Sequence, residues 1–107
     1  MARYFKVVYP FTGASQAQIE DFTKTLEEIL PKIKRYNLST SVDRYDKNTI
    51  FVVIHGLKSI EGARGFSELI EQDDKYKITK TDYFGITSQN YKTIQIHKNL
   101  DTYLQAQ

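Results

Sequence analysis

The chain of 107 residues has no cysteine and no tryptophan, a single methionine, two prolines and five glycines. Without cysteine there is no disulfide framework, no thiol nucleophile and no thiolate metal site. The two histidines, His55 and His97, stand alone, with no second histidine at i+2 or i+4, whereas a divalent metal wants three or four ligands at set spacing. His55 therefore reads as a strand-end residue with one hydrogen bond. The adjacent carboxylates Glu27-Glu28 and Asp73-Asp74 point in different directions and form no acid–base pair. The scattered glycines build neither G-x-G-x-x-G nor G-x-x-x-x-G-K, and no G-x-S-x-G elbow occurs. No apolar run approaches the roughly 20 residues that cross a bilayer, and no charged-then-apolar leader opens the chain. Charge of one sign is lacking too. Fifteen basic and 13 acidic residues leave a net +2 and are interspersed, which weighs against an electrostatic nucleic-acid surface. The expectation is a chain without catalytic residues, metal or cofactor, and so not an enzyme.

What is present is a folded composition, 40% hydrophobic and 26% charged, in a length suited to one domain over 1–107. Its organising stretch is 48–56, where Ile50, Phe51, Val52, Val53 and Ile54 form a β-branched and aromatic run with no polar face. Such a strand is central in a sheet or covered on both sides. Before it, 3–11 alternates as a first strand that Pro10 should stop, since proline cannot donate to a ladder. Ser15, three residues before Gln18, has capping-box spacing. It opens a helix whose stripe is Ile19, Phe22, Leu26, Ile29 and Ile33, with Pro31 expected to kink or break it. Residues 38–45 read as a polar edge strand, whose serines and charges discourage pairing with other molecules. It joins the central run through the turn at 46–49. Ser59 caps a second helix with the stripe Ile60, Ala63, Phe66, Leu69 and Ile70, in which Gly62 and Gly65 permit close approach to a sheet. After a solvated loop at 72–75, residues 76–79 lead into a fourth strand at 83–87, followed by a short Ser88-capped turn and a brief helix at 100–106.

The order β-α-β-β-α-β predicts an α+β, ferredoxin-like fold. Its four-stranded antiparallel sheet would carry two helices on one face, with the first and third strands central. The core is then 3–87, and 88–107 is a carboxy-terminal helical appendage. The other sheet face would be open. On it Phe51, Val53 and His55 would lie beside Tyr4 and Lys6, a platform of the kind on which RNA-recognition domains stack bases. The Arg/Lys-Gly-Phe-Gly-Phe-like run of those domains is missing, and an acylphosphatase-type loop would need an arginine that Pro10-Phe11-Thr12-Gly13 lacks. A face bearing Tyr4, Phe51 and Val53 could equally pack on a second copy or a neighbouring domain, and the first expectation is a non-catalytic protein-interaction module. The alternatives are a homodimeric ligand-binding or enzymatic domain closing the face with a second copy, and an RNA-binding domain. The appendage carries Tyr91, Ile94, Ile96, Leu100, Tyr103 and Leu104. Leaving these in water would forgo roughly 1.5–3 kcal/mol for each large side chain that could be buried. It should fold back over a sheet edge or one end of the helical layer, with tyrosine hydroxyls kept near water or a backbone partner. Its exposed Asn90, Lys92 and Lys98 then join Tyr4, Lys6, Phe51 and His55 as candidate partner-binding residues.

Three stretches carry a resemblance: Arg3-Tyr4-Phe5-Lys6-Val7-Val8-Tyr9-Pro10; Tyr83-Phe84-Gly85-Ile86-Thr87; and Asn90-Tyr91-Lys92-Thr93-Ile94 running on to Lys98-Asn99-Leu100-Asp101-Thr102-Tyr103-Leu104. Together they resemble the carboxy-terminal domain of tetratricopeptide-repeat lipoproteins of Bacteroidetes, of the gliding-motility and type IX secretion kind. The chain departs from that pattern in closing with Gln105-Ala106-Gln107 instead of further aromatics, and in lacking the helical repeats. It would thus be an excised domain or a stand-alone relative. The resemblance implies a non-enzymatic bacterial module of the periplasm or envelope that docks on other proteins or cell-wall material, with no catalytic residue to carry over.

Overall fold

The computed structural model describes residues 4–33, 37–72, 80 and 82–106. The expected strand start at Arg3, the first helix end at Arg35 and Tyr36, the loop at 73–75 and the lead-in at 76–79 lie outside the described residues. The fold is α+β. Strands β1 (Phe5–Thr12), β2 (Ser39–Arg44), β3 (Thr49–Leu57) and β4 (Phe84–Thr87) form one antiparallel sheet in the order β2-β3-β1-β4. Helices α1 (Gln16–Ile29), α2 (Ile60–Glu71), α3 (Ser88–His97) and α4 (Leu100–Gln105) complete it.

Pro10 does not stop the first strand, which runs on to Thr12 and pairs Pro10 with Phe51. The reason is geometric. Gly13 N–H donates to the Asn48 carbonyl at 3.1 Å, so by strand alternation the nitrogen of Pro10 faces the opposite side, toward β4. Pairing with β4 ends at Val8–Phe84. Pro10 therefore sits where β1 is an edge and no donor is missed.

α1 opens on a complete capping box: Ser15 Oγ accepts from Gln18 N–H at 3.1 Å, and Gln18 Oε1 accepts from Ser15 N–H at 2.9 Å. It ends at Ile29, and Pro31 sits in the first turn of a 3₁₀ segment, Leu30–Lys32, so proline breaks the helix as the sequence indicates. Between β2 and β3 the Asp46 carboxylate accepts from the amides of Asn48 and Thr49, both at 2.8 Å, which closes the turn. α2 is capped by Ser59 and buries Ala63, Phe66, Ser67 and Ile70, whereas Leu69 is 55% exposed and falls outside the stripe. The close approach expected at Gly65 occurs elsewhere. Gly65 faces open space, while a Cβ on Gly85 of β4 would stand 2.8 Å from Ile60 Cδ1.

The sheet is covered on both faces. On one, Val7, Tyr9, Val52, Ile54 and Leu57 pack with Ile19, Leu26 and Ile29 of α1 and Ala63, Phe66 and Ile70 of α2; Phe22 joins them half-buried. On the other, Val8, Phe51, Val53, Phe84 and Ile86 pack with Tyr91 and Ile94 of α3, and Leu100 and Tyr103 of α4 rest against them. The appendage thus covers the second sheet face, not a sheet edge or an end of the helical layer. Phe51 to Ile54 are all buried, two side chains to each layer, which accounts for a run without a polar face.

α3 is a ten-residue helix rather than a short turn, and its cap is Thr87, not Ser88. Thr87 Oγ1 accepts from Asn90 N–H at 3.0 Å, while Ser88 N–H donates to the Tyr4 carbonyl and prolongs the ladder. Ile96 and Leu104, counted among the apolar residues to be buried, are exposed.

Candidate functional site

A polar row closes one end of the second face, and a backbone irregularity builds it. Val7 pairs with Ile54 but Phe5 pairs with Leu57, so His55 and Gly56 together oppose Lys6 alone. This is a β-bulge, with Gly56 at φ +103°. The bulge turns Leu57 into the α1–α2 core, although it stands two residues from His55, and leaves the imidazole beside Lys6. Lys6 Nζ lies 2.7 Å from His55 Nδ1, and Ser41 Oγ of β2 lies 2.7 Å from His55 Nε2. His55 thus has two side-chain partners, not one. An ammonium group has no lone pair, so with Lys6 charged Nδ1 accepts and Nε2 carries the proton, donating it to Ser41 Oγ. In that tautomer the imidazole is no base toward Ser41. The resemblance to a nucleophile–base pair is one of spacing only.

The row continues under α3. Lys6 Nζ stands 5.9 Å from the centre of the Tyr91 ring, Tyr91 O–H donates to Asp43 Oδ2 at 2.6 Å, and Gln95 Nε2 donates to the Tyr91 oxygen at 3.1 Å. Burial pushes the Lys6 ammonium below its usual value, an effect Asp43 opposes. Burial and the Lys6 charge likewise lower the His55 pKa below 6.5, with Asp43 again acting the other way. Burial, reinforced by the bond to Asp43, raises that of the Tyr91 phenol. Both of the latter shifts favour the neutral forms, imidazole at His55 and phenol at Tyr91.

Of the residues singled out in sequence, Lys6 and His55 are brought together here. Phe51 is not a contact residue: it is fully buried, with Tyr45 stacked on it at 4.8 Å and Tyr91 at 6.1 Å, because α3 and α4 occupy the face that was expected to be open. The same covering removes the open face on which the dimer and the RNA platform were drawn. Tyr4 is exposed at the sheet end, and Asn90 and Lys92 are exposed on α3. Lys98, at φ 53° after α3, directs Nζ to Gln95 Oε1 at 2.8 Å and lies 4.9 Å from the Tyr45 ring centre. Ser41, Asp43 and Gln95 were not singled out. Only the pairing of β2 with β3 and the landing of α3 make them neighbours of His55 and Tyr91.

A second feature lies at the other side of the sheet. Tyr45 N–H donates to the Thr49 carbonyl at 3.0 Å. By alternation the backbone groups of Thr40, Val42 and Arg44 then point away from β3. β2 is the last strand of the sheet, and among the described residues none pairs with that side. Val42 is 49% exposed. Beside it a groove of about 770 Å³ runs between β2 and α1, floored by Val42, Ile50 and Ile19 and walled by Glu20, Lys24 and Glu27.

No protein-family model, curated protein or solved structure matches the chain. Among the described residues no group of three or more His, Asp or Glu could hold a metal ion, and no helix is long and apolar enough to cross a membrane.

Proposed function

We propose that this chain is a non-catalytic protein-interaction module that takes an extended segment of a partner protein along the outer edge of β2. The observation that carries this reading is the unpaired edge beside the α1 groove. An extended peptide would complete the outward N–H and C=O groups of Thr40, Val42 and Arg44, and alternate side chains would enter the groove. The walls select its chemistry. Glu20, Asp21 and Glu27 set three carboxylates against two cations, Lys24 and Arg44, and Arg44 also donates to the carbonyls of Asp46 and Lys47 at the hairpin, so the lining keeps an acidic excess. The fitting occupant is a strand alternating apolar and basic residues. In this reading the polar β2 deters adventitious pairing and accepts only a segment with the matching charge.

The strand order β2-β3-β1-β4, with α1 and α2 on one face, supports a ferredoxin-like classification of the scaffold. A bacterial envelope or secretion setting rests on the resemblance of the first strand, the fourth strand and the closing helices alone.

The test uses short acetylated peptides alternating valine with lysine or valine with glutamate, titrated into the isotope-labelled protein. The expected result is amide shifts and exchange protection at Thr40, Val42 and Arg44, with the lysine peptide bound at least about fivefold more tightly, a gap of about 1 kcal/mol. Val42→Pro removes one outward donor without touching the β3 ladder, and should abolish binding in a protein that still melts cooperatively. Val42→Thr keeps the donor and should bind. Shifts confined to α3, or unchanged binding by Val42→Pro, would overturn the reading.

A further inference from the structure

We infer that His55 and Lys6 form an acid-sensitive catch that holds the carboxy-terminal helices on the sheet at neutral pH and loosens them when the imidazole is protonated. The bulge places a titratable ring 2.7 Å from the Lys6 amine nitrogen. Neutral imidazole supplies the lone pair that Lys6 uses; imidazolium has none and sets a second positive charge against the first. Lys6 must then leave Nδ1, and the anion it already interacts with is Asp43. That carboxylate is engaged by Tyr91, whose ring and hydroxyl join α3 to β2 and β3. Protonation of one strand residue therefore reaches the bond that seats the third helix. The groups facing His55 are Lys6 from β1, Ser41 and Asp43 from β2 and, through Lys6 and Asp43, Tyr91 from α3. The other histidine, His97, is exposed on α3 itself and must be separated in the test.

The sign follows from linkage. The folded state disfavours the protonated imidazole, so the unfolded or opened chain binds the proton more readily. Stability is fully present above the ordinary histidine value of 6.5 and is lost as pH falls through it toward the lowered folded value.

The experiment follows the melting temperature and the methyl and ring resonances of Ile94 and Tyr91 between pH 7.5 and pH 5, in the full chain. It compares the protein with His55→Gln and His97→Gln. Glutamine at 55 offers an acceptor to Lys6 and a donor to Ser41 but does not titrate. The expected outcome is an acid-side fall in melting temperature, with Ile94 and Tyr91 shifting at the midpoint of the His55 ring. Both should persist in His97→Gln and disappear in His55→Gln. If the acid transition survives in His55→Gln, or Ile94 and Tyr91 do not respond while His55 titrates, the inference is wrong. Should His55→Gln fold poorly, the response of Ile94 and Tyr91 in the unmodified protein and in His97→Gln still decides it.

Discussion

Gly56 does at single-residue scale what no other residue type could do cheaply. Its φ of +103° forms the bulge, and a Cβ there would stand 2.5 Å from the Asn37 carbonyl oxygen. Gly13 also has positive φ, +66°, but faces open space. The two sites should therefore respond differently to the same change. Gly13→Ala should cost about 1 kcal/mol, the left-handed penalty alone. Gly56→Ala should cost about 3 kcal/mol or more, because strain and collision add. Urea melts would show this, and equal small losses would mean that the bulge is not where the register puts it. Tyrosine has a residue-scale account as well. Tyr45 O accepts from Leu100 N–H at 2.9 Å, Tyr91 donates to Asp43 at 2.6 Å and Tyr103 reaches the Gly85 carbonyl at 3.5 Å. Each ring joins the apolar layer while its hydroxyl ties the appendage to the sheet, which phenylalanine could not do.

At the scale of elements, α1 and α3 show why one helix was readable and the other was not. α1 announces itself with a capping box, a repeating stripe and a terminating proline. α3 buries only Tyr91 and Ile94, and its next apolar residue, Ile96, is exposed, so periodicity is too sparse to reveal ten helical residues. Its stability comes from the sheet beneath it rather than from its own pattern. Ile94→Ala should accordingly destabilise the protein by about 2–5 kcal/mol, as for other buried aliphatic truncations. Leu104→Ala, at an exposed position of α4, should stay within about 0.5 kcal/mol. Chemical denaturation of the two variants checks this, and a costly Leu104→Ala would place α4 more deeply than described.

For the molecule as a whole, the decisive arrangement is a sheet between two unequal covers. Removing 88–107 would uncover Val8, Phe51, Val53, Phe84 and Ile86 as one contiguous apolar face. A patch of that kind is a liability in a monomer. The truncated chain should lose cooperative melting or self-associate, as gel filtration and calorimetry would report. A truncated chain that melts like the intact one and remains monomeric would show that the second layer is dispensable.

Sequence alone determined the strands and first two helices, the breaking of the first helix at Pro31, and the place of 48–56 at the centre. These follow from local periodicity, caps and turn chemistry, which act between residues a few positions apart. Tertiary structure decided what periodicity cannot encode. Proline is harmless at position 10 because β4 is short, Leu57 joins the helix-side core because a bulge shifts its facing, and Phe51 is covered because α3 lands on it. The polar row has the same origin: Lys6, Ser41, Asp43, His55 and Tyr91 come from four separate elements. Only strand register and the seating of a distant helix bring their short-ranged hydrogen bonds within reach.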